Sequence, residues 1–305
     1  MATYHSGEIA VQERAGLTEQ AEFSLGGIGE SIPPVAQDFL AEQPLIVLGG
    51  ADRDGRLWAT QLTGEAGFLR VPDPRTVMID ALPLPEDPLA EVLTGGSAVR
   101  IGMIAIEPAT RRRMRVNGRA RREGDSLRVD LDQVIANCPK YLQKRDHRRT
   151  GPGEGGAADR TVTDGTGLSP AQQQAVRAAD TFFVTTASDR GDADASHRGG
   201  NPGFVQVLSP TLLRWPDYAG NAMFLTLGNL LLNSSAGLLV PDWETGTTLH
   251  LSGTAHTVWD AEEIARVPGA QRLVEFSVEA VREITAASPL RWTGPGYSRF
   301  NPPVG

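Results

Sequence analysis

Short apolar runs separated by turns rich in Gly, Pro and Asp dominate this chain, and long helical patterns are scarce. Each half opens with a helix signal. In the first, Ser31 is placed to cap, Pro33 and Pro34 to fill the first turn, and Val35, Phe39 and Leu40 recur at helical spacing. In the second, Ser169 is the cap, Pro170 takes the first helical position, and Ala171 to Ala179 are good helix formers. A β-branched and apolar run follows each helix, first Leu45 to Leu48 and then Phe182 to Thr186, and each ends in a turn built on Asp-Arg and Gly. Further on, Val99 to Ile106 predicts a strand, Glu107 to Thr110 a turn, and Arg111 to Arg122 a return strand. Gly237 to Val240, Asp242 to Gly246 and Thr247 to His256 repeat that arrangement. Many short strands with Gly-rich turns predict a mainly β protein built on a small antiparallel barrel.

The halves read as two copies of one design, about 136 residues apart. Asp52-Arg53 matches Asp189-Arg190, Gly67-Phe68 matches Gly203-Phe204, and Gly118-Arg119-Ala120 matches Gly253-Thr254-Ala255. Between the anchors the copies differ. The first has Trp58-Ala59-Thr60-Gln61-Leu62-Thr63-Gly64, and the second has Ser196-His197-Arg198-Gly199-Gly200-Asn201-Pro202. Such a difference points to where the chemistry sits. The expected organisation is a leader and first barrel over 1–149, a Gly-rich linker over 150–167, a second barrel over 168–288 and an extended tail over 289–305. The linker has almost no large apolar residue and reads as a mobile connection.

Composition narrows the classes. A chain of 305 residues has room for one large domain or two ordinary ones. Its 40 % hydrophobic and 22 % charged content is that of a soluble globular protein, and a net charge of -8 gives no general reason to expect nucleic-acid binding. Cys138 is the single cysteine, which excludes an intrachain disulfide, a CxxC pair and a cysteine zinc cluster. His5, His147, His197, His250 and His256 show no HxH or HExxH spacing, so no metal site is expected. The N-terminus lacks the apolar core of a signal peptide, and the longest apolar stretch, around Ala222 to Leu232, is too short and interrupted to span a bilayer. A cytoplasmic location is the default expectation, with no membrane partner.

Four constellations are candidates for chemistry. In Ser196 to Val205 a hydroxyl, an imidazole and a guanidinium lie side by side, and the glycines that follow allow close backbone approach to a ligand. Arg198 is shaped to grip a phosphate at two points, and Phe204 and Val205 supply an apolar wall for a flat ring. The plain alternative is a polar strand end with a hairpin turn. In Arg214 to Asn221, Asn221 is placed to cap a following helix whose N-terminal amides favour an anion; an ordinary capped helix explains the same residues. In the arginine run, alternation puts Arg113, Arg115, Asn117, Arg119 and Arg121 on one strand face. A solvated face is the commoner outcome for such a stripe, and an anionic ligand is the alternative. Around Asn137-Cys138-Pro139-Lys140, a thiol beside Lys140 has reason for a lowered pKa, against a structural helix start with Pro139 in its first turn.

Together, Ser196-His197-Arg198-Gly199-Gly200-Asn201-Pro202-Gly203-Phe204-Val205, Pro216-Asp217-Tyr218-Ala219-Gly220-Asn221-Ala222-Met223-Phe224, Thr226 to Asn229 and Asn137 to Tyr141 resemble the pyridoxamine 5'-phosphate oxidase-related FMN-binding split-barrel family, in its tandem form. The resemblance runs from Tyr4 to Ile284, linker excepted. It implies two tandem six-stranded antiparallel split barrels with Greek-key connections, paired as an intrachain pseudo-dimer, with a homodimer of such chains as a further expectation. It implies FMN as cofactor, held by Ser196, His197 and Arg198 and by Pro216, Asp217 and Asn221. Phe204, Val205 and Gln206 would pass beneath the ring, and His250 would stand near it. The Tyr-Ser-x-Lys phosphate loop of the oxidases proper is absent, so the resemblance does not extend to pyridoxamine phosphate as substrate. The implied activity is that of an FMN-dependent oxidoreductase acting on a small-molecule substrate, with NAD(P)H or another electron donor. The alternatives are a non-catalytic flavin-binding or electron-transfer protein, and a haem- or deazaflavin-binding split barrel. No catalytic acid or base is assigned.

Overall fold

The computed structural model describes residues 3–136, 139–151, 154 and 160–304. The chain begins with helices α1 (Ser6–Ala15) and α2 (Thr18–Leu25), a short strand β1 (Ile28–Gly29) and helix α3 (Pro34–Ala41). Strands β2 (Leu45–Ala51), β3 (Leu57–Thr63), β4 (Leu69–Asp73) and β5 (Thr76–Ile79) precede helix α4 (Ala90–Thr94). Strands β6 (Val99–Glu107), β7 (Arg112–Glu123) and β8 (Ser126–Ala136) complete the first half, and β9 (His147–Arg149) follows. The second half runs β10 (Val162–Gly165), α5 (Pro170–Ala178), β11 (Thr181–Ala187), β12 (Ala193–Gly199), β13 (Gln206–Ser209), β14 (Leu212–Tyr218) and α6 (Leu225–Leu232). It continues with β15 (Ser235–Pro241), β16 (Thr248–Val258), α7 (Ala261–Ala265), β17 (Ala270–Ile284) and β18 (Leu290–Trp292).

The two halves have one topology. The first sheet is ordered β3-β2-β6-β7-β8-β5-β4 and the second β12-β11-β15-β16-β17-β14-β13. In each, six long-range partners form the expected split barrel. A short hairpin strand (β4, β13) and an added strand (β1 on β8, β10 on β17) bring each sheet to eight. The likeness extends to single residues. The register shifts at Asn117/Gly118 in one half and at Ser252/Gly253 in the other. Gly67 and Gly203 both hold left-handed φ, 93° and 92°, so the repeated Gly-Phe pair marks one turn.

Each barrel has its own core, and a third cluster joins them. Ile46 and Leu48 point into the first core, Phe182 and Val184 into the second. The residues between them, Val47 and Phe183, meet Ala59, Ile104, Ala195 and Leu239 at the junction. Strands β2 and β11 are thus covered on both faces, which is why they read as unbroken apolar runs. The junction is tight at two symmetric points. A Cβ on Gly102 would overlap the backbone of Asp194 and Ala195, and one on Gly237 would overlap that of Leu57 and Trp58. Only glycine lets the backbones of opposite halves approach there.

Several local expectations change. Ser31 does not cap α3; the N-cap is Pro33, with no side-chain bond, and Val35 is 75 % exposed because the helix buries only Phe39 and Leu40. Ser169 does cap α5, in a capping box with Gln172. The end of the Gly-rich connection is not loose: β10 lies within it and pairs with β17. Residues 139–146 form no helix; Tyr141 instead takes φ 66° in a loop. Cys138 and Asn137 lie outside the described residues. The extended tail is tied down, with β18 pairing β9 and Arg111 donating to the carbonyls of Gly296 and Tyr297. No helix among the described residues is long and apolar enough to cross a membrane.

Candidate functional site

Strand β12 lies against β7 of the other half, and the site forms along that seam. The odd positions of β7 leave the first core because Met114, Val116 and Ala120 occupy it. Arg113, Arg115 and Asn117 therefore meet β12, whereas Arg119 and Arg121 run on into solvent. One sequence stripe is split by tertiary packing into a buried part and a solvated part. Arg115 Nη1 donates to Asp194 Oδ2 at 2.9 Å, and Asn117 Nδ2 donates to Asp194 Oδ1 at 3.2 Å. Arg113 Nη1 lies 2.9 Å from His197 Nδ1.

The far wall comes from the turn between β14 and α6. It departs from expectation at Asn221, which does not cap the helix. Its Oδ1 accepts from Met223 N, and Phe224, in left-handed φ of 58°, precedes the first turn. Asp217 accepts from Arg272 Nε at 2.9 Å, and the Arg272 guanidinium lies 4.8 Å from the Phe224 ring centre. From the first half, the loop after β8 brings Lys140 and Tyr141. The Tyr141 hydroxyl donates to Ala219 O, and its ring lies 5.1 Å from that of Tyr218. This contact depends on Gly199, where a Cβ would overlap the Tyr141 carbonyl.

Between these walls is a cavity of about 400 Å³, a size suited to a small-molecule ligand. Among the described residues, Arg113, Arg115, Lys140, Arg198 and Arg272 line it with one carboxylate, Asp217. Arg272 and Arg115 are neutralised by Asp217 and Asp194. Arg198 has no such ion pair among the described residues; there it donates to Ser196 Oγ at 3.3 Å, and its buried Nε has no partner. Burial lowers its pKa, against the pull of Asp217. His197, also lining the cavity and 3 % exposed, has an Nε2 with no partner among the described residues. Burial first, then the charges of Arg113, Arg198 and Arg115, hold its pKa well below that of a free imidazole. The cavity thus joins cationic side chains, two buried nitrogens without a partner among the described residues, and aromatic walls, an arrangement suited to an anion bearing a flat ring.

The expected residues divide. His197, Arg198, Phe204, Pro216, Asp217 and Asn221 reach the cavity, and Ser196 stands behind Arg198. Val205 is not brought there; it is buried in the second core, as its apolar character demands. Gln206 pairs with Arg214 on the β13–β14 hairpin, outside the lining. His250 is also elsewhere. It is buried at the junction, with Nδ1 at 2.8 Å from Ala59 O and Nε2 at 2.9 Å from Thr248 Oγ1. Register makes His250 the counterpart of Arg115, so it belongs to the opposite groove. Of the lining residues outside the expected set, Lys140 and Tyr141 belong to the Asn137 to Tyr141 motif of the resemblance, and Arg113 and Arg115 had a signal in the arginine alternation. Phe224 ends the Pro216 to Phe224 motif of the resemblance, and Arg272 had no signal, because only folding brings it to the pocket.

That opposite groove is filled by the chain itself. Thr60 stands where Ser196 stands in the second half. Its hydroxyl donates to the Asp87 carboxylate, which also accepts from Leu89 N at 2.8 Å. Thr60, Asp87 and His250 are all buried. Burial raises the Asp87 pKa, opposed by His250 and by its hydrogen bonds. No group of His, Cys, Asp and Glu suited to a metal occurs among the described residues.

Residues 168–289 match the sequence model of the family described as pyridoxamine 5'-phosphate oxidase. Among solved structures, an FAD binding protein from Mycobacterium smegmatis shares 15% identity over 39% of this chain and 98% of its own, with a TM-score of 0.29. An FAD-binding protein from Mesorhizobium loti shares 14% over 40% of this chain and 97% of its own, with a TM-score of 0.29. HupZ from Group A Streptococcus shares 12% over 37% of this chain and 90% of its own, with a TM-score of 0.31. No curated protein matches the chain.

Proposed function

With residues 168–289 belonging to the pyridoxamine 5'-phosphate oxidase family, we propose that the β7–β12 cavity is an FMN site and that the chain is an FMN-dependent oxidoreductase. The observation that carries this reading is Arg198, which lines a cavity of about 400 Å³ and has, among the described residues, no ion pair and an unsatisfied Nε. Bound FMN would supply hydride or electron transfer, chemistry that side chains alone do not perform.

The chain's own residues bind and orient. Arg198, steered by its bond to Ser196 Oγ, would take the phosphate in charge-assisted contact. Phe204, Phe224, Tyr141 and Tyr218 would flank the ring and keep water from it. Arg272 is held to Asp217 and serves the wall rather than the ligand. Asp217 is held by Arg272, and burial with the neighbouring arginines disfavours protonation of His197, so the acting partner would be a small molecule that meets the ring directly, with NAD(P)H or another reductant as electron source.

The test is titration of the purified protein with FMN, followed by flavin fluorescence and by the visible spectrum. Saturable quenching at micromolar or lower FMN is expected, and a colourless protein that ignores added FMN overturns the reading. Bleaching of the bound flavin by NADH or NADPH separates an enzyme from a passive binder.

A further inference from the structure

We infer that Arg113 of the first half sets the ring tautomer of His197 in the second, so that Nε2–H stands as a neutral hydrogen-bond donor to the occupant of the cavity. A guanidinium has five donors and no acceptor. Its Nη1 lies 2.9 Å from His197 Nδ1, so Nδ1 accepts. A neutral imidazole carries one N–H, which is then on Nε2. That nitrogen is buried, and no group among the described residues accepts from it.

The ring has little freedom to do otherwise. It meets Phe183 edge to face with centroids 5.8 Å apart, and its Cε1 would lie 2.8 Å from a Cβ at Gly199. The charged groups around it are Arg113 and Arg115 on β7 and Arg198 and Asp194 on β12, and Asp194 is already taken by Arg115 and Asn117. Protonation would set an Nδ1–H against the Arg113 donor. A ligand atom facing His197 must therefore be an acceptor, such as a carbonyl oxygen, an unprotonated ring nitrogen or an anionic oxygen. A ligand presenting N–H there leaves two buried donors opposed, which should weaken its binding about ten-fold or more. The tautomer stands on the geometry alone; only the identity of the acceptor as an atom of FMN rests on the proposed function.

The experiment is a long-range proton–nitrogen spectrum of the apoprotein with ring-labelled histidine, the His197 signals assigned by their loss in His197→Gln. The expected result is one Nε2–H tautomer that does not titrate between about pH 5 and 8. Arg113→Met should release it, giving Nδ1–H or a ring that protonates, and Arg113→Lys should restore it. The signals of His5, His147, His250 and His256 report whether each variant is folded; should Arg113→Met fail to fold, the wild-type tautomer decides. An Nδ1–H tautomer in the wild type, or a folded Arg113→Met with an unchanged spectrum, overturns the inference. Added FMN should shift the Nε2–H resonance. If FMN does not bind at all while the locked tautomer is seen, the flavin reading fails and the tautomer assignment stands.

Discussion

Arg198 and Arg113 line the same cavity, yet they are set differently. Among the described residues Arg198 has one weak hydrogen bond and feels Asp217 and Asp194 without forming an ion pair with either, and Arg113 is engaged by His197. The group whose charge is least satisfied gains most from an anionic ligand. Arg198→Ala should therefore weaken FMN binding by about 10²-fold, on the order of 3 kcal/mol for a charge-assisted contact. Arg113→Ala, which acts through His197, should cost about ten-fold. Titration of both variants with FMN measures the two losses side by side. Equal losses would place the phosphate elsewhere. The residue scale is also where reading along the chain is least complete. Arg198 and His197 are legible because hydroxyl, imidazole and guanidinium are adjacent in sequence. Val205 and Gln206 read as ring contacts only because they follow that motif; the turn at Gly203 sends them into the core and the hairpin.

At the scale of elements, α1 closes one end of the junction by lying on α6. His5 caps α1 through Nδ1, and the Glu8 carboxylate accepts from His5 N at 2.8 Å. Glu8 is buried, and that burial raises its carboxyl pKa from 4.5 to about 7. A raised folded-state pKa means that the fold favours the protonated acid. The stabilising contribution is full below about pH 4.5 and is lost as pH rises through about 7. Glu8→Gln keeps the acceptor and removes the charge. It should raise the melting temperature at pH 8, by an amount equivalent to as much as about 3 kcal/mol, with the advantage shrinking towards pH 4.5. Melting curves across that range check the sign. A gain that grows at low pH would show Glu8 to be ionised and paired instead. Helix α6 itself shows why a helix start can be misread from sequence: Asn221 is a strong capping residue, but strained φ at Ala222 and Phe224 carries the chain past it before helix begins.

At the scale of the whole molecule, two copies of one barrel have produced unlike grooves. The one between β7 and β12 has cationic donors and open volume. Its counterpart has Thr60, Gln61 and Leu62 where the other has Ser196, His197 and Arg198, and its own Asp87 carboxylate bonded to Thr60. Buried polar groups that already bond to one another gain little from an incoming phosphate. The protein should bind one equivalent of FMN per chain, and stoichiometric titration against protein concentration checks it; two equivalents would show that Asp87 moves aside.

Architecture and asymmetry are both written along the chain. Alternation and turn chemistry are local properties, so the strands, the matched glycines of the two bulges and the duplication can be read directly, as can the motif present in the second copy alone. Which face of which strand meets the other half is settled by folding. The arginine stripe of β7 has one period from Arg113 to Arg121, and nothing in that period separates the residues that reach His197 and Asp194 from those left in water. His250 likewise sits on the return strand where the resemblance implied a cofactor contact, yet the pseudo-twofold places it in the opposite groove. Burial across an interface depends on residues distant in sequence, and a local pattern carries no record of them.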